Sequence, residues 1–300
     1  MQKLAPIALF VYNRPDHTRR TLKFLQANYL AEESRLYIFA DAAKSISDEE
    51  NVNQVLEIIK TAEGFKNVKI IQQKKNLGLA QSIINGVSEL IETYGKVIVF
   101  EDDLLSSPYT LEYFNEALDK YQDEEKLMHI SAYMYPLTKV DEFPETFMYR
   151  AVHSWGWATW KRAWDHFNPD IDDLISKFDS QKIKDFSIEG KMNFWKQMKE
   201  FKAGKNNSWA IRWYASVFLN GGLSLNPSKS LIHNIGHDGS GIHSNVENTY
   251  AVNIHQHAIK DFPNEIKENL KAYELVKTFL SKRKGNILQR MIRFIKKKIN

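Results

Sequence analysis

No cysteine occurs among the 300 residues. That absence excludes a disulfide framework, thiolate metal sites and cysteine nucleophiles, and it agrees with a reducing compartment. Long apolar runs are missing too: no stretch of about 18 apolar residues is present, so no helix is expected to span a bilayer. The opening residues, MQKLAPIALFVYNRP, hold an apolar run too short for a secretory signal and no small-residue cleavage site. There is no internal repeat and no linker long enough to mark a domain boundary. The expected protein is therefore cytoplasmic. With 43% hydrophobic and 12% aromatic residues it has the means to bury a large core rather than remain disordered.

The formal net charge of +4 conceals an uneven distribution. Residues 281–300 carry eight basic side chains (Lys282, Arg283, Lys284, Arg290, Arg293, Lys296, Lys297 and Lys298) and no acidic ones. Without them, 33 basic side chains face 37 acidic ones. A slightly acidic body with a short basic tail argues against a nucleic-acid binder. Within the tail, Ile287, Leu288, Met291, Ile292, Ile295 and Ile299 recur at helical spacing. A basic amphipathic helix of this kind suits an anionic membrane surface, where each basic residue contributes roughly 1 kcal/mol. The expectation is a peripheral protein at the inner membrane face; a helix docked on the protein's own body is the plainer alternative.

The first hundred residues alternate short apolar runs with amphipathic segments. Strands are expected at Ala5–Tyr12, Leu36–Ala40, Val68–Ile71 and Lys96–Phe100, and helices at His17–Asn28, Glu49–Ala62 and Leu79–Tyr94. This alternation predicts βαβ units and a mainly parallel sheet. Ligands of such sheets sit beyond the carboxyl ends of the strands. Asn13, Asp41, Asn76 and the triplet Glu101-Asp102-Asp103 all fall there. Three adjacent carboxylates repel one another unless a cation or water intervenes. Hard divalent ions such as Mg²⁺ or Mn²⁺ take one or two carboxylates and complete their shells with water and substrate phosphates. A solvated turn or a helix N-terminus is the alternative reading.

The second half is less regular and holds all seven tryptophans. Ser154-Trp155-Gly156-Trp157 presents flat apolar faces suited to stacking on sugar rings, although such clusters also serve as core. Trp160 and Trp164, four apart, read as packing. Asn234-Ile235-Gly236-His237-Asp238-Gly239-Ser240-Gly241-Ile242-His243 combines glycines that allow close backbone approach with histidines that ligate transition metals. A polar, solvated loop is the alternative for that run.

Taken in order, Tyr12-Asn13-Arg14-Pro15, Asp41, Asn76-Leu77-Gly78-Leu79 and Phe100-Glu101-Asp102-Asp103-Leu104 resemble the nucleotide-sugar domain of GT-A glycosyltransferases. With His129-Ile130-Ser131-Ala132 and Gly156-Trp157 they resemble the N-acetylglucosaminyltransferase I type, and also bacterial family 2-like transferases of surface polysaccharides. The resemblance spans about residues 5–245. It implies an α/β GT-A fold (Rossmann-like, mainly parallel sheet flanked by helices) over residues 1–280, followed by the basic amphipathic helix 281–300. Residues 1–104 would form the nucleotide-binding half and 105–280 the acceptor side.

The same resemblance implies an inverting, metal-dependent transfer from a nucleotide-sugar, UDP-linked in first place, to a glycan or lipid-linked acceptor in surface polysaccharide or lipooligosaccharide synthesis. Asn13 and Arg14 would lie along the nucleotide, Asp41 near uracil or ribose, and Asn76 and Gly78 beside the base. Asp103 would bind the metal, Asp102 the ribose or a metal water, and Glu101 the sugar. His243 is the favoured histidine for the metal, with His237 second; Trp155, Gly156, Trp157 and Trp209 would line the acceptor or sugar pocket. An inverting transfer needs a carboxylate base, and the resembling enzymes carry it in a Trp-Asp-Asp-like segment. Ser208-Trp209-Ala210-Ile211-Arg212-Trp213 has none. Asp238, Asp165 and Glu200 are then the candidates, with Arg212 placed to contact a phosphate or an acidic acceptor. Two other readings stay open: a sugar-phosphate nucleotidyltransferase, and a catalytically degenerate nucleotide-binding scaffold at the membrane.

Overall fold

The computed structural model describes residues 4–138, 140–237 and 249–282. Its first part alternates as the sequence predicts: β1 (Ile7–Val11), α1 (Pro15–Gln26), β2 (Arg35–Ala40), α2 (Ile46–Lys60), β3 (Asn67–Gln72), α3 (Leu79–Tyr94) and β4 (Lys96–Glu101). α1 starts two residues earlier than expected, with Pro15 in its first turn, where the missing N–H costs nothing and the fixed φ is already helical. Then follow β5 (Leu104–Ser106), α4 (Thr110–Lys120), β6 (Leu127–Ser131), β7 (Thr146–Tyr149), β8 (Trp157–Trp160) and the short α5 (Lys161–Trp164). A run of helices comes next: α6 (Ile171–Ser176), α7 (Ser180–Phe186), α8 (Phe194–Lys202) and α9 (Trp209–Leu219). β9 (Leu223–Pro227), β10 (Ile232–Asn234) and α10 (Leu270–Lys282) complete the described chain.

Eight strands form one sheet in the order β3-β2-β1-β4-β8-β6-β9-β7, and β5 pairs with β10 in a separate ribbon. β1 to β4 are parallel to one another, β8 is antiparallel to both β4 and β6, β9 is parallel to β6, and β7 is antiparallel to β9. Six of the eight strands thus point one way, the mainly parallel α/β sheet expected. Strand β1 shows why its sequence is apolar throughout. Ile7, Leu9 and Val11 enter the core on one face, with Ile38 and Phe100. Ala8 and Phe10 enter the other, against Ile83 and Val87 of α3. A strand covered on both faces has no polar position left. β3, at the edge, is the exception and exposes Lys69.

The core on the α3 side is aromatic. Trp157 stacks on Trp209 with ring centroids 5.1 Å apart, and on His129 at 5.4 Å. His129 is fully buried. Its Nδ1 accepts from Trp213 Nε1 at 3.0 Å, and its Nε2 donates to the His153 carbonyl at 3.0 Å. Burial pushes the His129 imidazole down to about 3 from its ordinary 6.5. The unfolded chain therefore takes up a proton near pH 6.5 that the folded protein refuses until about pH 3. Stability from this group is present above pH 6.5 and falls as pH drops through that window, by about 1.4 kcal/mol per pH unit at most. Denaturant melts between pH 7 and pH 5 should show a shallower decline in His129→Gln than in the parent; equal slopes would contradict the assignment.

The segment from residue 249 onward packs back on the sheet through one strong ion pair. Arg150 Nε donates to Glu268 Oε1 at 2.8 Å and Nη2 to Oε2 at 2.5 Å, while the guanidinium lies 4.6 Å from the Tyr273 ring centre. α10 seats Ala272, Val276 and Leu280 in the core on the sheet face opposite α3. Glu268→Ala should lower stability by about 2–3 kcal/mol, because it strands a half-buried guanidinium. Thermal melting of the variant tests this.

Candidate functional site

At the carboxyl end of β4 the chain turns through Glu101-Asp102-Asp103 into β5, and α1 fixes that turn. Thr21 Oγ1 donates to the Asp102 carbonyl at 2.8 Å and accepts from Leu104 N–H at 3.2 Å. The Asp102 carboxylate accepts from Tyr12 N–H at 3.4 Å. Asp103 accepts from Arg14 Nη1 at 2.9 Å, and the same nitrogen lies 3.9 Å from Asp102. The three carboxylates are crowded and shielded from water. Burial first, then the Asp103 charge, raise Asp102 to about 7, with Arg14 opposing. Burial and both neighbouring carboxylates push Glu101 well above the usual range.

The segment 234–237 reaches this turn from 130 residues away. β10 pairs antiparallel with β5, setting Asn234 opposite Leu104. From there Ile235 N–H donates to the Asp103 carbonyl at 2.9 Å, and Asn234 Nδ2 approaches the Asp103 carboxylate at 3.4 Å. Gly236 lies directly over Asp103: a Cβ there would overlap the carboxylate oxygen and stand 2.9 Å from its carbon and 3.1 Å from Arg14 Nη1. Close approach, not a left-handed φ, requires glycine here. His237 follows, its ring 5.1 Å from Trp155 and 6.2 Å from Tyr250. Its Nε2 is buried and has no hydrogen-bond partner among the described residues. Gly156, at φ 66°, sits against Ile232 of β10, so the Trp155 turn and the 234–237 segment pack on each other.

On the other side of β1, Asp41 organises the loop before α3. Its carboxylate accepts from Leu77 N–H at 2.9 Å, Gly78 N–H at 2.8 Å, Asn76 Nδ2 at 3.1 Å and Ala42 N–H at 3.0 Å. Asn13 Nδ2 donates to Asp48 at 2.8 Å, tying the β1 turn to the start of α2. Asp41 thus spends its carboxylate on shaping this loop.

The structure brings together Arg14, Glu101, Asp102, Asp103, His237 and Trp155, and it separates several residues proposed alongside them. Trp157 and Trp209 are buried in the aromatic core and stack on each other, so they line no pocket. Arg212 is buried beneath α8, 4.4 Å from the Phe201 ring centre, and bonds the carbonyls of Ser208 and Pro169 at 3.3 Å. Asp165 lies at the wrong end of the sheet. β8 runs antiparallel to β4 and ends with Trp160 beside Lys96, so α5 and Asp165 emerge near the start of β4. There Asp165 pairs with Lys161 at 3.0 Å. Glu200 pairs with Lys196 on α8 at 3.4 Å. Asp238, His243 and the tail 283–300 lie outside the described residues. Thr21 and Tyr250 carry no sequence signal for their places here; a buried threonine and a lone tyrosine stand out only once the chain is folded.

Among the described residues no three histidine or carboxylate side chains converge as a ready metal cage. The donors that are present, the paired carboxylates of Asp102 and Asp103 beside Arg14, fit an ion that keeps open positions. Mg²⁺ and Mn²⁺ are commonly held by one or two carboxylates, with phosphate oxygens filling the shell.

No protein-family model matches the chain, and no curated protein matches it. Solved structures do. One is a mannosyltransferase from Pyrobaculum calidifontis in complex with GDP-Man and Mn²⁺, with 11% identity, 73% of each chain covered and a TM-score of 0.38. Another is S. aureus TarS 1–349, with 11% identity and a TM-score of 0.42; the match covers 76% of this chain and 60% of that one. A third is a UDP-glucose pyrophosphorylase complexed with UDP-glucose, with 13% identity, 75% and 90% covered and a TM-score of 0.36. At TM-scores below 0.5 these likenesses carry no weight beyond a shared α/β character.

Proposed function

We propose that this chain is a GT-A-type glycosyltransferase that moves a sugar from a nucleotide-sugar, UDP-linked in first place, to a glycan or lipid-linked acceptor of a surface polysaccharide or lipooligosaccharide. The observation that carries the proposal is the convergence of Arg14, Asp102, Asp103 and the Gly236-His237 segment at the carboxyl ends of β1 and β4, where open α/β sheets bind ligands. On this reading residues 1–104 hold the nucleotide and 105–280 face the acceptor.

Asp103 would hold Mn²⁺ or Mg²⁺, with Asp102 on a metal-bound water or the ribose and a histidine, His243 in first place and His237 second, as a further ligand. The ion, when bound, offsets the charge that develops on the nucleoside diphosphate as the glycosidic bond breaks. Arg14 then stands beside the diphosphate as a second cation. Asn13, Asn76 and Gly78 border the nucleotide, and Glu101, whose carboxyl is pushed up by burial and by both neighbouring carboxylates, faces the sugar. Trp155 offers its ring at the acceptor side. Asp238 remains the proposed base for inversion, and residues 281–300 the proposed contact with an anionic inner membrane face.

The test is thermal melting with UDP, GDP and CMP, each with and without Mn²⁺. A one-site ligand at about a hundred times its Kd adds roughly 2.7 kcal/mol, a shift of a few degrees in a chain of this size. Selective stabilisation by UDP with Mn²⁺ supports the proposal. Stabilisation by no nucleotide overturns it, and pyrophosphate release from a nucleoside triphosphate and a sugar phosphate would replace it with the nucleotidyltransferase reading.

A further inference from the structure

Residues 177–207, which carry α7 and α8, hold eight lysines against four acidic residues. Lys196, Lys199 and Lys202 recur every three residues along α8, so they share one stripe of the helix, and all three are exposed. The four acids are engaged within the protein. Asp179 caps α7 by accepting from Lys182 N–H at 2.8 Å, and Asp185 accepts from Gln181 at 3.0 Å. Glu189 pairs with Lys277 at 3.0 Å and Glu200 with Lys196 at 3.4 Å.

Between α7 and α8 lies a shallow cavity of about 400 Å³. Ile183, Met192 and Trp195 give it apolar walls, and Lys184, Lys196 and Glu189, the last paired with Lys277, also line it. The turn beside it is strained: Ile188 and Glu189 take φ of 49° and 50°, and Gly190 takes 77°. Two consecutive non-glycine residues in the left-handed region persist only where the surroundings hold them, and such turns cluster at functional positions. The holding contacts are visible. Ile188 is fully buried, and Glu189 meets both Lys277 and the Tyr273 hydroxyl, at 3.0 and 3.3 Å, on α10. α10 is the helix that leads into the eight-cation terminal sequence. The lysine-rich insert is thus fastened to the base of the tail.

We infer that the α7–α8 insert is a second contact with an anionic membrane, its cavity taking the phosphate headgroup and first methylenes of an anionic phospholipid. Apolar walls beside the exposed Lys184 and Lys196, with Glu189 already neutralised by Lys277, match an amphiphile; a soluble anion would gain nothing from Trp195 and Met192. Tryptophan also suits the boundary between headgroups and acyl chains, with one apolar face and one donor. The inference stands apart from the sugar-transfer reading, because it concerns neither the nucleotide nor the acidic turn.

The experiment uses the full chain, with its tail, and vesicles of phosphatidylcholine with or without phosphatidylglycerol. Among the described tryptophans only Trp155 and Trp195 are partly exposed. Brominated acyl chains in anionic vesicles should therefore quench emission in the parent and lose most of that quenching in Trp195→Phe. Lys184→Glu with Lys196→Glu, both exposed positions, should weaken partition into anionic vesicles about tenfold or more while leaving the melting curve unchanged. Unchanged quenching in Trp195→Phe together with unchanged partition in the double variant would assign all membrane contact to the tail and overturn the inference. Competition by millimolar soluble glycerol phosphate, equal to that of vesicles, would identify a free phosphate site and overturn it equally.

Discussion

Asp103→Ala should abolish stabilisation by nucleotide with Mn²⁺ and reduce sugar transfer by at least about 100-fold, the scale of losing one preorganised charge-stabilising group. The argument is local. Asp103 is the carboxylate that faces Arg14 at 2.9 Å and lies directly beneath Gly236, so no other side chain takes its place. The unliganded protein should not suffer. Removing one of three adjacent carboxylates relieves repulsion on Glu101 and Asp102, which offsets the loss of the Arg14 pair, because Asp102 remains 3.9 Å from that guanidinium; melting without ligand should stay close to that of the parent. A pH dependence accompanies the same site. With Asp102 near 7, a proton competes for the carboxylate below neutrality, so metal-dependent nucleotide affinity should rise from pH 6 to pH 8. In Asp103→Asn the charge that adds to burial in raising Asp102 is gone, and the residual nucleotide affinity should follow a profile moved to lower pH. Nucleotide stabilisation that survives in Asp103→Ala would show that the acidic turn is not the binding site.

The second large effect belongs to a methyl group. Gly236→Ala places a Cβ into the Asp103 carboxylate. The carboxylate is not free to step aside, because Arg14 holds one oxygen at 2.9 Å and Asn234 approaches the other at 3.4 Å. Either the Arg14–Asp103 pair opens or the end of β10 lifts and loses the bond from Ile235 N–H to the Asp103 carbonyl. Overpacking of this kind costs about 1–3 kcal/mol in stability, and nucleotide affinity should fall by at least tenfold. A double-mutant cycle separates clash from general damage. In the Asp103→Ala background the obstructing oxygen is absent, so Gly236→Ala should cost much less stability than in the parent. Additive costs would mean that Gly236 is needed for some reason other than its approach to Asp103.

Much of this molecule could be read residue by residue. Strand β1 is apolar at every position, and β2 and β4 carry charges only at their ends, because both faces are covered; the helices between them show a 3.6-residue period, and both patterns are local and survive without knowledge of the fold. The strand ends followed directly, and with them Asn13, Asp41, Asn76 and the acidic turn. Other residues could not be placed that way. Trp155 and Trp157 are two apart, so a continuous strand would put both on one side; the turn at Gly156, with φ of 66°, parts them, and one borders the site while the other is sealed against Trp209 and His129. Which of the two faces the site depended on the sheet, not on the tryptophans. Asp165 was excluded by direction alone, because β8 runs antiparallel to β4 and carries everything after it to the far end.

His237 shows the same limit from the other side. Its nearness to Asp103 rests on the pairing of β5 with β10 across 130 residues, and a three-residue strand announces no partner. Local sequence set the elements and the chemistry at their ends, since propensity and burial pattern act within a few residues. Tertiary structure alone chose which distant segments share a site, because that choice was made by strand direction and by close packing between residues far apart in the chain.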